Sequence, residues 1–222
     1  MTGTDFDSTT MNKDMHILRI KTSGTLAIDW HMVYKINPAD STQSNEAHHI
    51  FRDYTDPTTL YLAGMYESHG TIFKFQRRDG KINWQVDFHD TSSTKTLDSV
   101  TSYAQATGRS HFVACGDKDT SGTGSMAAFF RMENNGQLKY FYELQHATAD
   151  VNQASNCKGI HMEESNSQVT VLLSTDSPSF KTSSLNVNTG ITDMALFVIS
   201  DAGTLVRAKH ISLSRSSSTL SA

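Results

Sequence analysis

The sequence is poor in cysteine, proline and charge, and each scarcity excludes a class of protein. Its 222 residues include two cysteines and three prolines, and charged residues make up 19%. Two thiols are too few for a disulfide-built scaffold, and three prolines against 13 glycines exclude a collagen-like or proline-rich chain. No apolar run is long enough to span a bilayer, and no signal peptide is visible, which leaves the compartment open.

What the chain does contain suits β-strands joined by polar turns. It has 11 Phe, 7 Tyr and 2 Trp, and Ser and Thr make up roughly a quarter of it. Aromatic content at low charge argues against disorder. The net charge of −4 removes the electrostatic reason to expect nucleic acid as a partner.

Four segments of the chain share one pattern, in which an apolar strand is followed by a turn that contains glycine. The glycines are Gly24, Gly80, Gly136 and Gly203, separated by 56, 56 and 67 residues. Asp79-Gly80 and Asn135-Gly136 are strong hairpin signals, because tight hairpin turns need positive φ. Each segment is therefore predicted to form an antiparallel hairpin.

After each glycine, the residues at +2, +4, +6 and +8 alternate with polar ones. They are Leu26/Ile28/Trp30/Met32, Ile82/Trp84/Val86/Phe88, Leu138/Tyr140/Tyr142/Leu144 and Leu205/Arg207/Lys209/Ile211. Alternation with period two indicates a strand rather than a helix, and it predicts one apolar face per strand. The fourth copy breaks the pattern with two basic residues, as expected where the neighbouring layer is more solvated.

Two further strands are predicted upstream of the later hairpins, so one repeat is a unit of four antiparallel strands. The weaker strands fall near 48–52, 100–103 and 158–162, and the apolar ones at 59–64, 110–116 and 169–174. We predict an all-β fold, a β-propeller-like array of about three and a half four-stranded blades over residues 15–212. Residues 1–14 are predicted to be a polar arm and residues 213–222 a Ser-rich tail.

Propellers close at about four to eight blades, so this count leaves three alternatives open. The chain is a fragment of a larger propeller, or a compact four-bladed ring with a half-blade. Otherwise it is a stack of sheets that is not a propeller, or it closes with a second chain.

The repeat resembles SBBP-type and quinoprotein-like β-propeller repeats at the level of the fold. The best copy runs from Tyr61-Leu-Ala-Gly64 through Asp79-Gly80 to Trp84-Gln85. Quinoproteins carry a Trp in nearly every blade, whereas here Trp30 and Trp84 stand alone, at +6 and +4 from their glycines. No adjacent-cysteine pair is present either. These departures argue against a quinone cofactor, so the resemblance implies a fold and no activity.

The sharpest local motif is a candidate calcium loop. Asp117, Asp119 and Ser121 stand at positions one, three and five, and Gly122 at position six, which is the spacing that wraps oxygen ligands around a hard cation. Position twelve is Ala128 rather than Glu, so the predicted affinity is weak. A loop between two strands contains these residue types in any case.

Other candidate sites are weaker still. The spacing of Cys115 and Cys157 fits no zinc site, and Cys115 is either a small buried strand residue or half of a disulfide with Cys157. Ten histidines show no chelating spacing. Arg19, Lys74 and Arg131 do not align relative to their glycines and are expected to pair with acids or face solvent.

No catalytic constellation is predicted from the sequence. We therefore expect a structural or interaction module with a protein or glycan partner and no cofactor, calcium apart. The alternative is an enzyme or carbohydrate-binding propeller whose active loops lie partly outside this chain. The blade loops that converge at one end of the central axis are where a partner or ligand is expected.

Overall fold

The computed structural model describes residues 2–7, 12–34, 45–88, 97, 99–119, 125–144, 154–163, 165, 168–175, 193–200 and 202–211. The strands in these ranges are β1 (Thr2–Asp7), β2 (Asn12–Lys21), β3 (Ala27–Tyr34), β4 (Glu46–Arg52), β5 (Thr59–Tyr66), β6 (His69–Gln76), β7 (Ile82–Asp87), β8 (Ser99–Ala104), β9 (His111–Asp119), β10 (Ser125–Glu133), β11 (Leu138–Glu143), β12 (Ser155–Met162), β13 (Val169–Thr175), β14 (Asp193–Ile199) and β15 (Leu205–Ile211). Across these ranges no helix has the length and apolarity that a membrane crossing requires.

The strands form four antiparallel sheets in chain order, which confirms the predicted all-β, propeller-like array. The first sheet has the order β1-β2-β3, and the second, third and fourth have β4-β5-β6-β7, β8-β9-β10-β11 and β12-β13-β14-β15. The inner strands, β4, β8 and β12, lie next to one another, and each sheet ends on an outer strand: β3, β7, β11 or β15. Within the described residues the array is not closed into a ring.

The first sheet has one strand more than the sequence analysis predicted. The pattern placed its first strand from Ile17 and a polar arm over residues 1–14, but β1 pairs with β2 from Thr2↔Ile17 to Asp7↔Asn12. A strand held by its backbone ladder needs no apolar alternation, so the polar sequence concealed it. No described strand occupies the inner position that β4, β8 and β12 fill in the other sheets.

All four repeat glycines have positive φ, between 75° and 87°, as the hairpin prediction required. The strand that follows each glycine carries a β-bulge near its start. In the second sheet, Ile82 lies opposite Phe75 and Trp84 lies opposite Lys74. Asn83, between them, has no residue opposite it and is the extra residue of the bulge. The same bulge occurs in the other three sheets. An extra residue reverses the alternation, and the prediction of one apolar face is therefore wrong: Ile82 packs toward the first sheet and Trp84 toward the third.

The bulges also correct the predicted misalignment of the two tryptophans. Trp30 lies opposite Arg19 and Trp84 lies opposite Lys74, in each case directly after the bulge. Tyr140, opposite Arg131, occupies the same position in the third sheet. The apparent offset arises because two more residues separate the glycine from the bulge in the first hairpin.

Three apolar clusters hold the sheets face to face. The first and second sheets bury Met15, Ile17, Leu62, Phe73 and Phe75 between them. Between the second and third sheets, the rings of Tyr61, Tyr103 and Phe112 contact one another with centroids 4.6–5.5 Å apart. The third and fourth sheets bury mainly aliphatic side chains with Phe129 and Phe197. The second and third sheets are thus apolar on both faces, as packing between two neighbouring sheets requires.

At each of these interfaces the hairpin glycine of one sheet lies against the outer strand of the sheet before it. A Cβ placed on Gly80 would lie 3.2 Å from the Trp30 ring, and one on Gly136 would lie 3.5 Å from the Trp84 ring. A Cβ on Gly203 would lie 2.7 Å from the Tyr142 ring. Glycine at these positions therefore satisfies positive φ and also leaves room for a neighbouring aromatic ring.

The tryptophans add a hydrogen bond to this packing. The indole N–H of Trp30 donates to the Arg77 carbonyl at 3.2 Å, and that of Trp84 donates to the Asn134 carbonyl at 3.1 Å. Both carbonyls belong to the first residue after the third strand of a four-stranded sheet. The contact between successive sheets is thus a repeated unit of ring, glycine and carbonyl.

Candidate functional site

The most highly connected polar side chain in the described structure is Asp53, which directly follows the inner strand β4. It is fully buried, and its carboxylate accepts hydrogen bonds from the Lys74 ammonium at 2.8 Å and the Tyr61 hydroxyl at 3.0 Å. The backbone N–H and hydroxyl of Thr55 donate to it at 2.9 and 2.7 Å, and the Thr59 hydroxyl at 3.2 Å. One carboxylate therefore joins three strands and the turn between the first two of them.

The electrostatics of this cluster favour the ionised carboxylate. Burial by itself would raise the pKa of Asp53, but the hydrogen bonds from Lys74 and Thr55 outweigh it and lower that pKa to about 2. Burial and the adjacent carboxylate raise the pKa of Tyr61, so its hydroxyl stays protonated and donates. The Lys74 ammonium also lies 5.2 Å from the centroid of the Tyr61 ring.

Chemically, the Asp53 cluster is suited to structure rather than to proton transfer. The carboxylate is paired with Lys74, and its lowered pKa keeps it ionised at neutral pH, whereas a general acid or base needs a pKa near the working pH. The sequence analysis missed Asp53. The run Asp53-Tyr-Thr55-Asp-Pro57 is typical of a turn in which Asp accepts from the backbone two residues on, and that signal could have identified it.

A groove lies where the inner strands end, between the second, third and fourth sheets. Its volume is about 490 Å³, and it is lined by His49, Phe51, Tyr54, Tyr103, Ala104, Gln105, Ala106, Ile160, His161, Met162 and Glu163. The Phe51 ring contacts that of Tyr103, with centroids 4.2 Å apart, and Tyr54 is 53% exposed. This groove lies where the sequence analysis expected a ligand or partner, at one end of the central strands.

The walls of the groove differ in polarity. On the side of the second sheet the lining consists of His49, Phe51 and Tyr54, and burial lowers the pKa of His49, which favours the neutral imidazole. On the other wall His161 and Glu163 are exposed, with Nε2 and a carboxylate oxygen 3.9 Å apart. The Gln105 side chain is fixed in the groove by two hydrogen bonds. Its amide oxygen accepts from the Tyr54 backbone N–H, and its amide nitrogen donates to the Arg109 carbonyl. Aromatic rings with a polar rim are typical of small-ligand sites.

The candidate calcium loop is only partly within the described structure. Asp117 ends up beside the fourth sheet, where its carboxylate accepts a hydrogen bond from the Cys157 backbone N–H at 2.6 Å. The Asp119 side chain and all of Ser121 lie outside the described residues. Among the residues that are described, no three His, Cys, Asp or Glu side chains come together as a metal site. The calcium site therefore stays a prediction.

Cys115 and Cys157 form a disulfide, which resolves the alternative that the sequence left open. Their Cα atoms are 6.0 Å apart, on β9 of the third sheet and β12 of the fourth. Both cysteines are buried within the apolar cluster between these sheets. Cys115 is thus both a buried strand residue and a covalent link between successive sheets.

The three basic residues of the third strands do align in the structure, because the ladders place them opposite Trp30, Trp84 and Tyr140. Each pairs with an acid, as expected: Arg19 with Asp29, Lys74 with Asp53, and Arg131 with Glu133. Among the histidines, His16 and His31 come together on the first sheet, with Nδ1 and Nε2 2.9 Å apart.

Comparisons with known proteins found similar solved structures but no matching sequence family. No family model matches the sequence, and no curated protein matches it significantly. Among solved structures, the chain is similar to a Dos1 propeller at 10% identity and a TM-score of 0.49, over 89% of this chain and 55% of the other. It is also similar to BamB from Moraxella catarrhalis at 11% identity and a TM-score of 0.30, over 88% and 61%.

The chain thus spans little more than half the length of these two structures. Both are similar to it in fold alone.

Proposed function

We propose that this chain is a non-catalytic segment of a β-propeller that serves as a structural or interaction module within a larger protein. The observation that carries the proposal is the unequal burial of equivalent positions. Ile28 is 65% exposed and the neighbouring Leu26 is 73% exposed. Their counterpart Ile82 packs into the interface with the preceding sheet, as do Leu138 and Leu205. An apolar face of this kind is the signature of an interaction surface.

The ionisable groups support a role without catalysis. Within the described residues, the most strongly buried carboxylate, Asp53, is neutralised by Lys74, and Asp117 is engaged with a backbone N–H. The lowered pKa of Asp53 leaves it ionised and not poised to exchange a proton near neutral pH.

Purified chain 1–222 is expected to self-associate or to unfold at low denaturant concentration, because the first sheet leaves apolar side chains in water. Sedimentation velocity across a concentration series, with urea unfolding in parallel, measures both properties. Ile28→Ser with Leu26→Ser is expected to reduce the association, whereas Val206→Ser, at an exposed position on β15, serves as the control. A monodisperse wild-type monomer with one cooperative transition would contradict the segment proposal.

A second candidate function, carbohydrate or other small-ligand binding, is favoured by the groove at the ends of the inner strands. The exposed Tyr54 and the polar pair His161 and Glu163 all line this groove, which is large enough for a small ligand. A panel of mono- and disaccharides titrated against the chain is expected to shift the NMR signals of these residues. Tyr54→Ala should abolish the shifts, and Val206→Ala should leave them unchanged. Saccharide-induced shifts scattered over the surface would contradict a site here.

The calcium loop at Asp117, Asp119 and Ser121 is retained as a proposal of a weak site. With two carboxylates we expect a Kd of about 1 mM, as in extracellular calcium modules. At 10 mM calcium such a site adds about 1.4 kcal/mol to the free energy of unfolding. Thermal unfolding measures this gain, and Asp119→Asn should remove it. Magnesium at the same concentration is the control. A melting temperature that changes with neither cation would eliminate the loop as a site.

A further inference from the structure

We propose that the outward face of the first sheet binds the outer strand of another propeller blade, with a Trp or Tyr ring of that strand seated against Gly24. This inference rests on the proposed function and names the partner of the surface that carries it. The occupant is defined by its chemistry: a strand in which apolar, aromatic and apolar side chains alternate after a bulge.

Gly24 has the backbone of the other three hairpin glycines but a different environment. Its φ is +81°, close to the values at Gly80, Gly136 and Gly203. A Cβ built on any of those three would meet an aromatic ring of the preceding sheet, whereas one on Gly24 would meet no atom of the described residues within 4 Å. The backbone conformation that accommodates a ring is therefore in place, and within the described residues no ring lies against Gly24.

The strands that flank the Gly24 hairpin carry apolar side chains on the outward face of the first sheet. The ladders make Leu18, Ile20 and Ile28 equivalent to Phe73, Phe75 and Ile82 of the second sheet. Phe73 and Phe75 are fully buried against the first sheet. Leu18 and Ile20 remain partly exposed and Ile28 is mostly exposed. The first sheet thus carries the apolar surface of an inter-sheet contact on its outward face, and within the described residues no sheet packs against that face.

At two of the three contacts between sheets, a backbone carbonyl near the glycine accepts a hydrogen bond from the ring. Trp30 and Trp84 donate to the carbonyls of Arg77 and Asn134, each the first residue after a third strand. By the same register Thr22, the first residue after β2, supplies the corresponding carbonyl to a ring seated on Gly24. A Trp or Tyr partner would satisfy both the apolar surface and this acceptor.

The outer strand of this same chain lacks the required chemistry. In β15 the positions of Trp84 and Val86 are taken by Arg207 and Lys209, both exposed. Seating two cations against Leu26 and Ile28 would remove them from water without a partner for their charge. A second wild-type copy is therefore a poor occupant, and an aromatic outer strand is the matching one.

To test this, β15 of the full chain is converted by substitution into a strand with the required pattern. Arg207→Trp with Lys209→Val gives β15 the apolar, aromatic and apolar pattern of Ile82, Trp84 and Val86. Sedimentation velocity is expected to show head-to-tail association about tenfold tighter or more than that of the wild type. Tryptophan emission should shift to shorter wavelength as the concentration rises, since the added ring becomes buried.

Two glycines provide a matched pair of controls. Gly24 and Gly108 both have positive φ and both have open space around them, so valine adds comparable backbone strain at each. In the doubly substituted chain, Gly24→Val is expected to reverse the gain in association, and Gly108→Val to leave it intact. Circular dichroism of each variant verifies that the strands are retained.

Two results would overturn the proposal: no gain in association over the wild type, or a gain that Gly24→Val does not reverse. If the wild type already associates as tightly as the substituted chain, a second copy is the occupant instead. A cooperative wild-type monomer would instead refute the proposed segment role. Association of the doubly substituted chain would still test whether the outward face of the first sheet binds an aromatic strand.

Discussion

Removal of the Cys115–Cys157 disulfide is expected to lower the free energy of unfolding by about 4 kcal/mol. The two cysteines are 42 residues apart, and closing a loop of this length restricts the unfolded chain by that amount in the chain-entropy treatment. The link joins the third sheet to the fourth, beside the apolar cluster and the hydrogen bond from the Cys157 backbone N–H to Asp117 that also hold these two sheets together. Its loss should therefore affect the fourth sheet most.

Urea unfolding with and without a thiol reductant measures the effect. Cys115→Ala with Cys157→Ala should be destabilised to a similar extent, with a further small cost for the buried volume that is lost. The same variant is the control, since reductant should no longer change its midpoint. Hydrogen exchange should locate the loss of protection in β12–β15. If reductant shifts the wild-type midpoint by an amount within error, the disulfide does not contribute as inferred.

Lys74→Met is expected to destabilise the chain by about 3–5 kcal/mol, because it leaves the buried Asp53 carboxylate without its cation. Asp53→Asn with Lys74→Met should cost less than the two single changes added together, since neither charge then remains. Lys139→Met, at an exposed lysine on β11, is the control and should be nearly neutral. Urea unfolding of the four chains forms the double-mutant cycle. Additive effects would show that the two charges do not act as a pair.

The pH dependence of stability provides a second readout of the same pair. The pKa of Asp53 falls from its ordinary 3.8 to about 2 in the folded state, so its contribution is complete above the unfolded value. It is lost as the pH falls from about 4 through about 2. In Asp53→Asn this part of the acid destabilisation should disappear, whereas stability between pH 6 and pH 8 should keep the same slope. An identical acid limb in both chains would contradict the lowered pKa.

The hairpins and strands could be predicted from the sequence because their determinants are local. Alternation along each strand and glycine at a turn of positive φ depend on residues a few positions apart, and all four glycines adopt the predicted conformation. The repeat spacing was enough to indicate a propeller-like array. The strand β1 was missed because its polar sequence shows no alternation, and pairing with β2 is what determines it.

The sites were less predictable, because their partners are distant in sequence. Asp53, at the end of β4, pairs with Lys74 on β6, with β5 between them. Cys115 and Cys157 form a disulfide across the interface between two sheets. The faces were assigned wrongly for a related reason. A bulge of one residue leaves the sequence pattern intact but reverses the side chains that follow it, so that Ile82 and Trp84 pack on opposite sides of one sheet.

By itself the sequence determined the repeating unit of this protein: a four-stranded antiparallel sheet with a glycine hairpin, because strand periodicity and turn conformation are encoded locally. Only the tertiary structure decided which faces meet, which charges and thiols pair, and that Leu26 and Ile28 beside Gly24 are exposed. Those outcomes depend on packing between sheets. A side chain becomes buried or exposed according to whether another sheet lies against it, and that information is not contained in the spacing of its own strand.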